Sequence, residues 1–134
     1  MVATLTHPDT PVDDPVWSSD REVLDGYAER RRRINRLEAE ATRWLAEIDR
    51  RRAFETDGHV SSTAWVAATV GDSPGTAAGR VRVARRIESM PVTAEAFTAG
   101  DIDLSRVQML MAASSVDEAS SPVTNRPWWT PPVP

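Results

Sequence analysis

Residues 71–90 read GDSPGTAAGRVRVARRIESM, and this stretch decides the fold that the sequence predicts. Gly71 ends one helix, and Ser73 with Pro74 starts the next. A serine side chain accepts hydrogen bonds from the first free amides of a helix. Proline tolerates the first helical position because its missing amide would be unpaired there anyway. These signals predict a helix that begins after Ser73 and runs to about Met90.

This predicted helix has an apolar face and a basic face when it is drawn at about 100° per residue. Four small or branched residues share the apolar face: Ala77, Val81, Ala84 and Ile87. Three arginines and a serine share the opposite face: Arg82, Arg85, Arg86 and Ser89. Arg80 lies at the rim of the apolar face. One side is therefore expected to pack, while the other presents guanidinium groups.

A shorter predicted helix, 63–70, precedes the basic helix and is capped by Ser61 or Ser62. A three-residue turn that begins with a glycine separates the two helices. Two short helices joined in this way are typical of a helix-turn-helix, which here spans 62–90. In DNA-binding proteins of that type, the second helix lies in the major groove.

The predicted DNA contacts are of two kinds. Thr76 is the residue in the first part of the second helix whose side chain can hydrogen-bond a base edge. Arg82, Arg85 and Arg86 lie further along and suit phosphate contacts. The sequence therefore predicts binding of double-stranded DNA with weak sequence preference. The alternative, which the sequence leaves open, is an amphipathic helix whose arginines pair with acidic residues of the helix upstream.

That upstream helix is predicted over 20–54, with Asp20 as its N-cap. Apolar residues recur there at alternating spacings of four and three, with Arg30 filling one gap, which is typical of a heptad stripe. As the alternative to a DNA-associated function, six of them are predicted to form a dimerisation surface: Tyr27, Ile34, Leu37, Ala41, Trp44 and Ile48. Trp44 and Trp65 are also expected to anchor the core.

Two further short helices are predicted, at 93–99 with Thr93 as its cap and at 104–113 with Asp103 as its cap. Residues 1–19 and 114–134 are rich in Pro, Ser, Thr and Asp, so we expect them to be disordered. No strand pattern occurs. The predicted fold is all-α, a long N-terminal helix followed by a helix-turn-helix-like bundle within 20–113, with disordered termini.

The composition excludes several kinds of chemistry. The 134 residues contain two histidines and no cysteine, carry a formal net charge of −4, and take all sixteen positive charges from arginine. Neither His7 nor His59 has a metal ligand or a base at motif spacing, and Asp101 and Asp103 suit a helix junction better than a metal site. We expect no catalytic residues, no cofactor and no metal. No signal-peptide pattern or membrane-spanning run occurs, so we expect a cytoplasmic protein.

Several short motifs follow one another in an order that resembles one known family. They read Asp57-Gly58-His59, Trp65, Gly71, Ser73, Gly75, Ala77, Val81-Arg82, Ala84-Arg85, Pro91, Thr93, Ala99-Gly100 and Ile102. The family is domain of unknown function 222, also called the thirteen-E-twelve repeat family. The resemblance covers about residues 20–113.

The resemblance implies that relatives are typically much longer and that many end in an HNH endonuclease domain. The role of their N-terminal domain is not established. Two distant histidines do not form an HNH site, so we expect a truncated member that is not a nuclease. Helices missing after Ala113 would leave Val107, Leu110, Met111 and the heptad stripe uncovered, which predicts self-association.

Overall fold

The computed structural model describes residues 14–119, which contain helices and no strand, and this confirms the predicted all-α class. The five α-helices are α1 (Asp20–Arg51), α2 (Ser62–Val70), α3 (Pro74–Arg86), α4 (Pro91–Ala99) and α5 (Leu104–Ala119). Three short 3-10 helices lie at Pro15–Trp17, Ala53–Asp57 and Ile87–Ser89. Residues 1–13 and 120–134, where disorder is predicted, lie outside the described residues.

The N-terminus of α1 differs from the prediction, because Ser19 rather than Asp20 is the N-cap. The Ser19 hydroxyl accepts from the Glu22 amide at 3.2 Å, and the Glu22 carboxylate accepts from the Ser19 amide at 2.8 Å. This reciprocal pair satisfies two amides that would otherwise be unpaired. Asp20 lies in the first turn, where a negative charge interacts favourably with the helix dipole. Residues 14–19 are therefore not all disordered.

The C-terminus of α1 also differs, because the helix ends at Arg51 and not at Phe54. Arg52 adopts a left-handed conformation with φ of 58°, which breaks the helical hydrogen-bond pattern. The chain then folds into a 3-10 helix that buries Phe54. Burial of this aromatic ring against the bundle decides where the helix ends, and the local sequence carries no glycine or proline to signal it.

The junctions around α2 and α3 follow the predicted signals. Ser61 caps α2 by accepting from the Ala64 amide at 3.1 Å, and Ser73 caps α3 by accepting from the Thr76 amide at 3.2 Å. Gly71 has φ of 79°, a conformation that glycine adopts without strain. A turn of three residues therefore joins the two helices.

The third helix ends earlier than predicted, and the fourth begins earlier. Residues Ile87–Ser89 form a 3-10 helix instead of the last turn of α3. The next helix starts at Pro91, so Thr93 lies inside its first turn and is not its cap. Proline at the first helical position needs no amide partner, and α4 therefore begins without a side-chain cap.

The last helix begins where the sequence predicts and continues further. Asp103 accepts from the Arg106 amide at 2.8 Å and caps α5. The helix runs to Ala119 rather than to about Ala113, so the predicted disorder is wrong for 114–119. The Ser115 hydroxyl donates to the Met111 carbonyl at 3.1 Å and accepts from Arg86 at 2.9 Å. Serine is thereby accommodated inside this helix.

Two hydrophobic clusters lie on either side of α3, which is the central helix. Val83 belongs to the cluster with Ala39, Ile87, Phe97, Val107 and Met111. Val81 belongs to the other cluster, with Leu45, Val66, Ala77 and Ala84. The sequence predicts one apolar face on α3 and misses Val83, because α5 packs against a second face of the helix.

Candidate functional site

The residues predicted to contact DNA do not all lie on one surface of α3. Thr76 is exposed in the first turn, where its hydroxyl accepts from the Ser73 hydroxyl at 2.9 Å. At about 100° per residue, Thr76 lies roughly 120° around the helix from Arg82 and roughly opposite Arg85. Thr76 lies roughly 80° around the helix from Arg86, so the predicted base contact is a neighbour of one predicted phosphate contact and points away from another, Arg85.

Arg85 is held by a carboxylate of α1. Its Nε lies 2.9 Å from Asp49 Oδ2, and its second guanidinium nitrogen lies 2.9 Å from Asp49 Oδ1. Ser62 Oγ, at the start of α2, donates to the same carboxylate at 2.6 Å. The Asp49 side chain of α1 therefore bonds both α2 and α3. This geometry matches the alternative in which arginines of α3 pair with the helix upstream, and it occupies one predicted phosphate contact.

The Arg85 guanidinium holds the pKa of Asp49 below its usual range, and the hydrogen bond from Ser62 acts in the same direction. A carboxyl whose pKa is lowered by folding stabilises the folded state above its unfolded pKa, and this stabilisation is lost as the pH falls through the folded pKa. Asp49→Asn is therefore expected to flatten the acid side of the stability profile, measured by urea unfolding between neutral pH and about pH 3.

Glu47→Gln is the matched control for that profile. Arg50 and Arg51 lower the pKa of Glu47 to about 2, but these partners lie on the same helix and water screens the exposed pairs. We expect a smaller change in pH dependence from Glu47→Gln than from Asp49→Asn. The reverse order would show that the contact between α1 and α3 does not contribute to acid stability.

Arg80 also bonds carboxylates of the domain, and it is half-buried. Its Nε donates to Asp72 Oδ2 at 2.7 Å, and its guanidinium also bonds the Glu38 carboxylate of α1. These two carboxylates raise the pKa of Arg80 against the opposing effect of burial, which is the largest single influence on the group. The Asp72 bond joins α3 to the turn that precedes it.

Arg82 and Arg86, the other two arginines of α3, line a shallow groove between α3 and α5. The groove has a volume of about 140 Å³, and Gln108, Met111 and Ser115 of α5 form its other wall. Arg86 donates to Ser115 Oγ at 2.9 Å. Arg82 is exposed and forms no ion pair with any residue in the described part of the chain. Arg82 and Arg86 are thus the arginines of α3 not bonded to a carboxylate there.

A second candidate site is the outer face of α1. The large side chains predicted to form an interface are exposed by 46% to 70%: Tyr27, Ile34, Leu37 and Trp44. Ala41 is exposed and Ile48 is half-buried on the same face. We call these six residues the outer stripe. Trp44 is therefore not a core anchor, which corrects the prediction, whereas Trp65 is half-buried and packs against the second cluster.

The opposite face of α1 explains why the outer stripe is left outside. Ala39 and Thr42 are buried there, Asn35 donates to the Gly100 carbonyl at 3.2 Å, and Leu45 is buried between that face and the outer stripe. Small and polar side chains let α1 approach α3 and α4 closely, which larger side chains would prevent. The helix thus has two different faces, of which the more apolar one faces solvent.

Within residues 14–119, no group of three or more potential ligand side chains is placed to hold a metal ion. Asp103, half of the Asp101/Asp103 pair, caps α5 instead. None of the described helices is both long enough and apolar enough to cross a membrane.

Comparison with known proteins identifies a family. The family model described as Domain of unknown function (DUF222) matches residues 24–124. The match covers all five helices except the first residues of α1, and it extends beyond Ala113, where the sequence resemblance is expected to end. No curated protein and no solved structure gives a significant match. The described helical bundle, with its two-faced first helix and its central third helix, therefore belongs to the DUF222 family.

Proposed function

We propose that this protein is a helical interaction module that forms a dimer through the outer stripe of α1. The observation that carries the proposal is the exposure of four large apolar side chains on one face of a helix whose other face packs in the domain. Proteins that remain monomeric rarely expose large contiguous apolar patches. A helix that presents such a face to solvent is suited to bind another apolar helix surface.

Burial of the outer stripe in a dimer would contribute a free energy comparable to the cost of association. Full burial of a large apolar side chain contributes on the order of 1.5–3 kcal/mol relative to full exposure. Two copies together offer eight such side chains from the outer stripe, each already partly buried. Association costs about 4–15 kcal/mol in lost freedom of motion. The expected outcome is a dimer of moderate affinity whose population depends on protein concentration.

The test is sedimentation velocity of the whole chain over a wide range of concentration. Leu37→Ala with Trp44→Ala is expected to leave only monomer, because it removes two of the four large exposed side chains of the outer stripe. Val60→Ala with Val92→Ala is the control, since these valines are exposed by 84% and 81% elsewhere on the surface. The control is expected to dimerise like wild type, and circular dichroism checks that both variants keep their helices.

A wild-type chain that stays monomeric at the highest concentration would contradict the proposal. Loss of dimer in both variants would also contradict it, because the interaction would then be a general effect of exposed apolar residues rather than a property of the outer stripe.

Contact with the phosphates of double-stranded DNA is the second candidate function. Two observations favour it: α2 and α3 are joined by a three-residue turn, and Arg82 is exposed without an ion pair in the described chain. Arg82 and Arg86 would contact phosphates, and Thr76 would reach a base only if the N-terminus of α3 entered the groove. We do not include Arg85 in this contact, because a phosphate would have to displace Asp49.

Fluorescence anisotropy with labelled duplex at ~50 mM and ~200 mM salt tests this candidate. Arg82→Ala with Arg86→Ala is expected to weaken binding and to reduce its salt dependence by up to about two released ions. Arg21→Ala with Arg50→Ala removes the same charge from exposed positions on α1 and is the control. Absence of binding at the lower salt concentration would exclude this function. Catalysis is part of neither proposal, and metal-dependent nicking of a plasmid by the pure protein would contradict both as complete descriptions.

A further inference from the structure

We infer that two copies pair through α1 in antiparallel orientation, in one register that places Ile34 of each copy opposite Leu37 of the other. This inference rests on the proposed dimer and adds its orientation and register. The same register places Tyr27 opposite Trp44 and Val23 opposite Ile48. Tyr27 and Trp44 are both exposed in the single chain, and an aromatic pair gains stability beyond the area it buries.

The domain itself favours the antiparallel orientation. The outer stripe has two flanks along α1. Glu38 and Leu45 lie on one flank, and both are used inside the domain, Glu38 by bonding Arg80 and Leu45 by packing in a core cluster. Arg33 and Glu40 lie on the other flank, which is exposed. Parallel helices bring unlike flanks together on both sides of the pair, so each exposed flank would meet an occupied one. Antiparallel helices bring like flanks together, so the exposed flanks of the two copies meet each other along one side of the pair and the occupied flanks lie along the other.

Arg30 gives a second reason, because it occupies a position of the stripe itself. In a parallel pair in register, Arg30 would face Arg30 of the other copy, and two like charges would meet as they lose water. In the antiparallel register, Arg30 faces Ala41, whose short side chain leaves room for the arginine stem and lets its charged end reach water. At the ends of the stripe, Asp20 then lies opposite Arg51.

The exposed flank selects the register. When Ile34 lies opposite Leu37, Arg33 of each copy lies beside Glu40 of the other, and symmetry makes two such pairs. In the single chain Arg33 pairs with Glu29 of its own helix at 3.0 Å, so in the dimer each arginine would lie between two carboxylates. A shift of one heptad in one direction brings Arg33 against Arg33. A shift in the other direction brings Glu40 against Glu40. The inferred register is therefore the one in which charges of opposite sign meet, and the two neighbouring registers are repulsive.

The exposed start of α1 supports the same arrangement. Between residues 20 and 31 every residue except Gly26 is exposed, so this part of the helix extends beyond the bundle. Isolated helices of that length are marginally stable in water, and Val23, Leu24 and Tyr27 add apolar surface to it. In the antiparallel pair, this segment lies on the second half of α1 of the other copy, which its own domain holds in place.

Disulfide trapping tests the orientation, because the chain contains no cysteine and each engineered thiol is the only one present. Val23 and Ile48 lie roughly 37 Å apart along α1 at about 1.5 Å per residue. Mixing a Val23→Cys chain with an Ile48→Cys chain under mild oxidation is expected to yield the mixed disulfide. Neither variant alone is expected to crosslink with itself. Self-crosslinking of each variant would establish a parallel pair and overturn the inference, while the proposed dimer would stand.

Charge exchange tests the register in the same chain. Arg33→Glu alone and Glu40→Arg alone are each expected to weaken the dimer by roughly two- to tenfold, since each replaces two attractive exposed pairs between copies by repulsive ones. Arg33→Glu also removes the exposed pair with Glu29 on the same helix, whereas Glu40→Arg removes no ion pair among the described residues. The two substitutions combined in one chain are expected to restore wild-type affinity, as is a mixture of the two single variants. A combined variant that dimerises no better than the singles would overturn the register. A wild type that is monomeric in sedimentation would remove the proposed function as well, so the two failures are distinguishable.

Discussion

Phe97→Ala is expected to lower the free energy of unfolding by about 3–5 kcal/mol, because truncation of a buried phenylalanine removes apolar contacts and leaves a cavity. Phe97 is 1% exposed and lies in the cluster that joins α1, α3, α4 and α5. Domains of this size have about 5–15 kcal/mol of stability in total, so the variant is expected to be partly unfolded at physiological temperature. Urea unfolding followed by circular dichroism measures the loss.

Val92→Ala is the matched control on the same helix, since Val92 is 81% exposed and its truncation is expected to change stability by less than about 0.5 kcal/mol. A loss below about 1 kcal/mol in Phe97→Ala would contradict the packing of α4 against α1 that the structure shows.

Gly100→Ala is expected to lower the free energy of unfolding by about 2–4 kcal/mol, from two causes that act together. Gly100 ends α4 with φ of 85°, a conformation that costs an alanine roughly 1–2 kcal/mol. An added Cβ would also lie 2.7 Å from the carbonyl oxygen of Arg32 in α1, so the two helices would have to separate. Separation would stretch the bond from Asn35 to the Gly100 carbonyl.

Gly71→Ala isolates the second cause. Gly71 has nearly the same conformation, with φ of 79°, but a Cβ there would meet no atom within 4 Å. We expect this control to lose only about 1–2 kcal/mol, the conformational cost alone. Equal losses at the two glycines, measured by urea unfolding, would contradict the close approach of α1 to the end of α4.

Phe97 and Gly100 contact the face of α1 that packs inside the domain, whereas the outer stripe lies on the exposed face of α1. Phe97→Ala and Gly100→Ala are therefore expected to change dimerisation only through the fraction of folded protein. Leu37→Ala with Trp44→Ala is expected to change dimerisation with little effect on the unfolding of the monomer, because both side chains are exposed in the single chain. Measuring both properties for each variant separates folding from association.

Capping residues and glycines predicted the helix ends at which they lie. Ser73 and Asp103 cap helices by accepting from amides in the next turn, and Pro74 occupies the first position of α3. Gly71 and Gly100 adopt the left-handed conformations that helix ends require. These effects reach across three or four residues, so the residues themselves carry the information. The all-α class and the order of five helices follow from the same signals together with the helical spacing of apolar residues.

Competition between local signals explains the shifted boundaries. Ser19 and Asp20 are both good caps, and Ser19 is used because Glu22 completes the reciprocal pair with it. Arg52 ends α1 in a conformation that favours glycine, because burial of Phe54 in the bundle outweighs the strain. Neither outcome depends on one residue type at one position.

By itself, the sequence determined the five helices, the caps Ser73 and Asp103, and the repeated apolar residues on α1 that make up the outer stripe, because these depend on neighbours within one or two turns. Only the tertiary structure decided which face of each helix is buried and which arginines of α3 bond a carboxylate among the described residues. Arg85 and Asp49 are 36 residues apart, and no spacing rule relates them until α1 and α3 pack together. Trp44 faces solvent for the same reason: the domain uses the small residues on the other side of α1, which allow close helix packing, and leaves the larger apolar face outside.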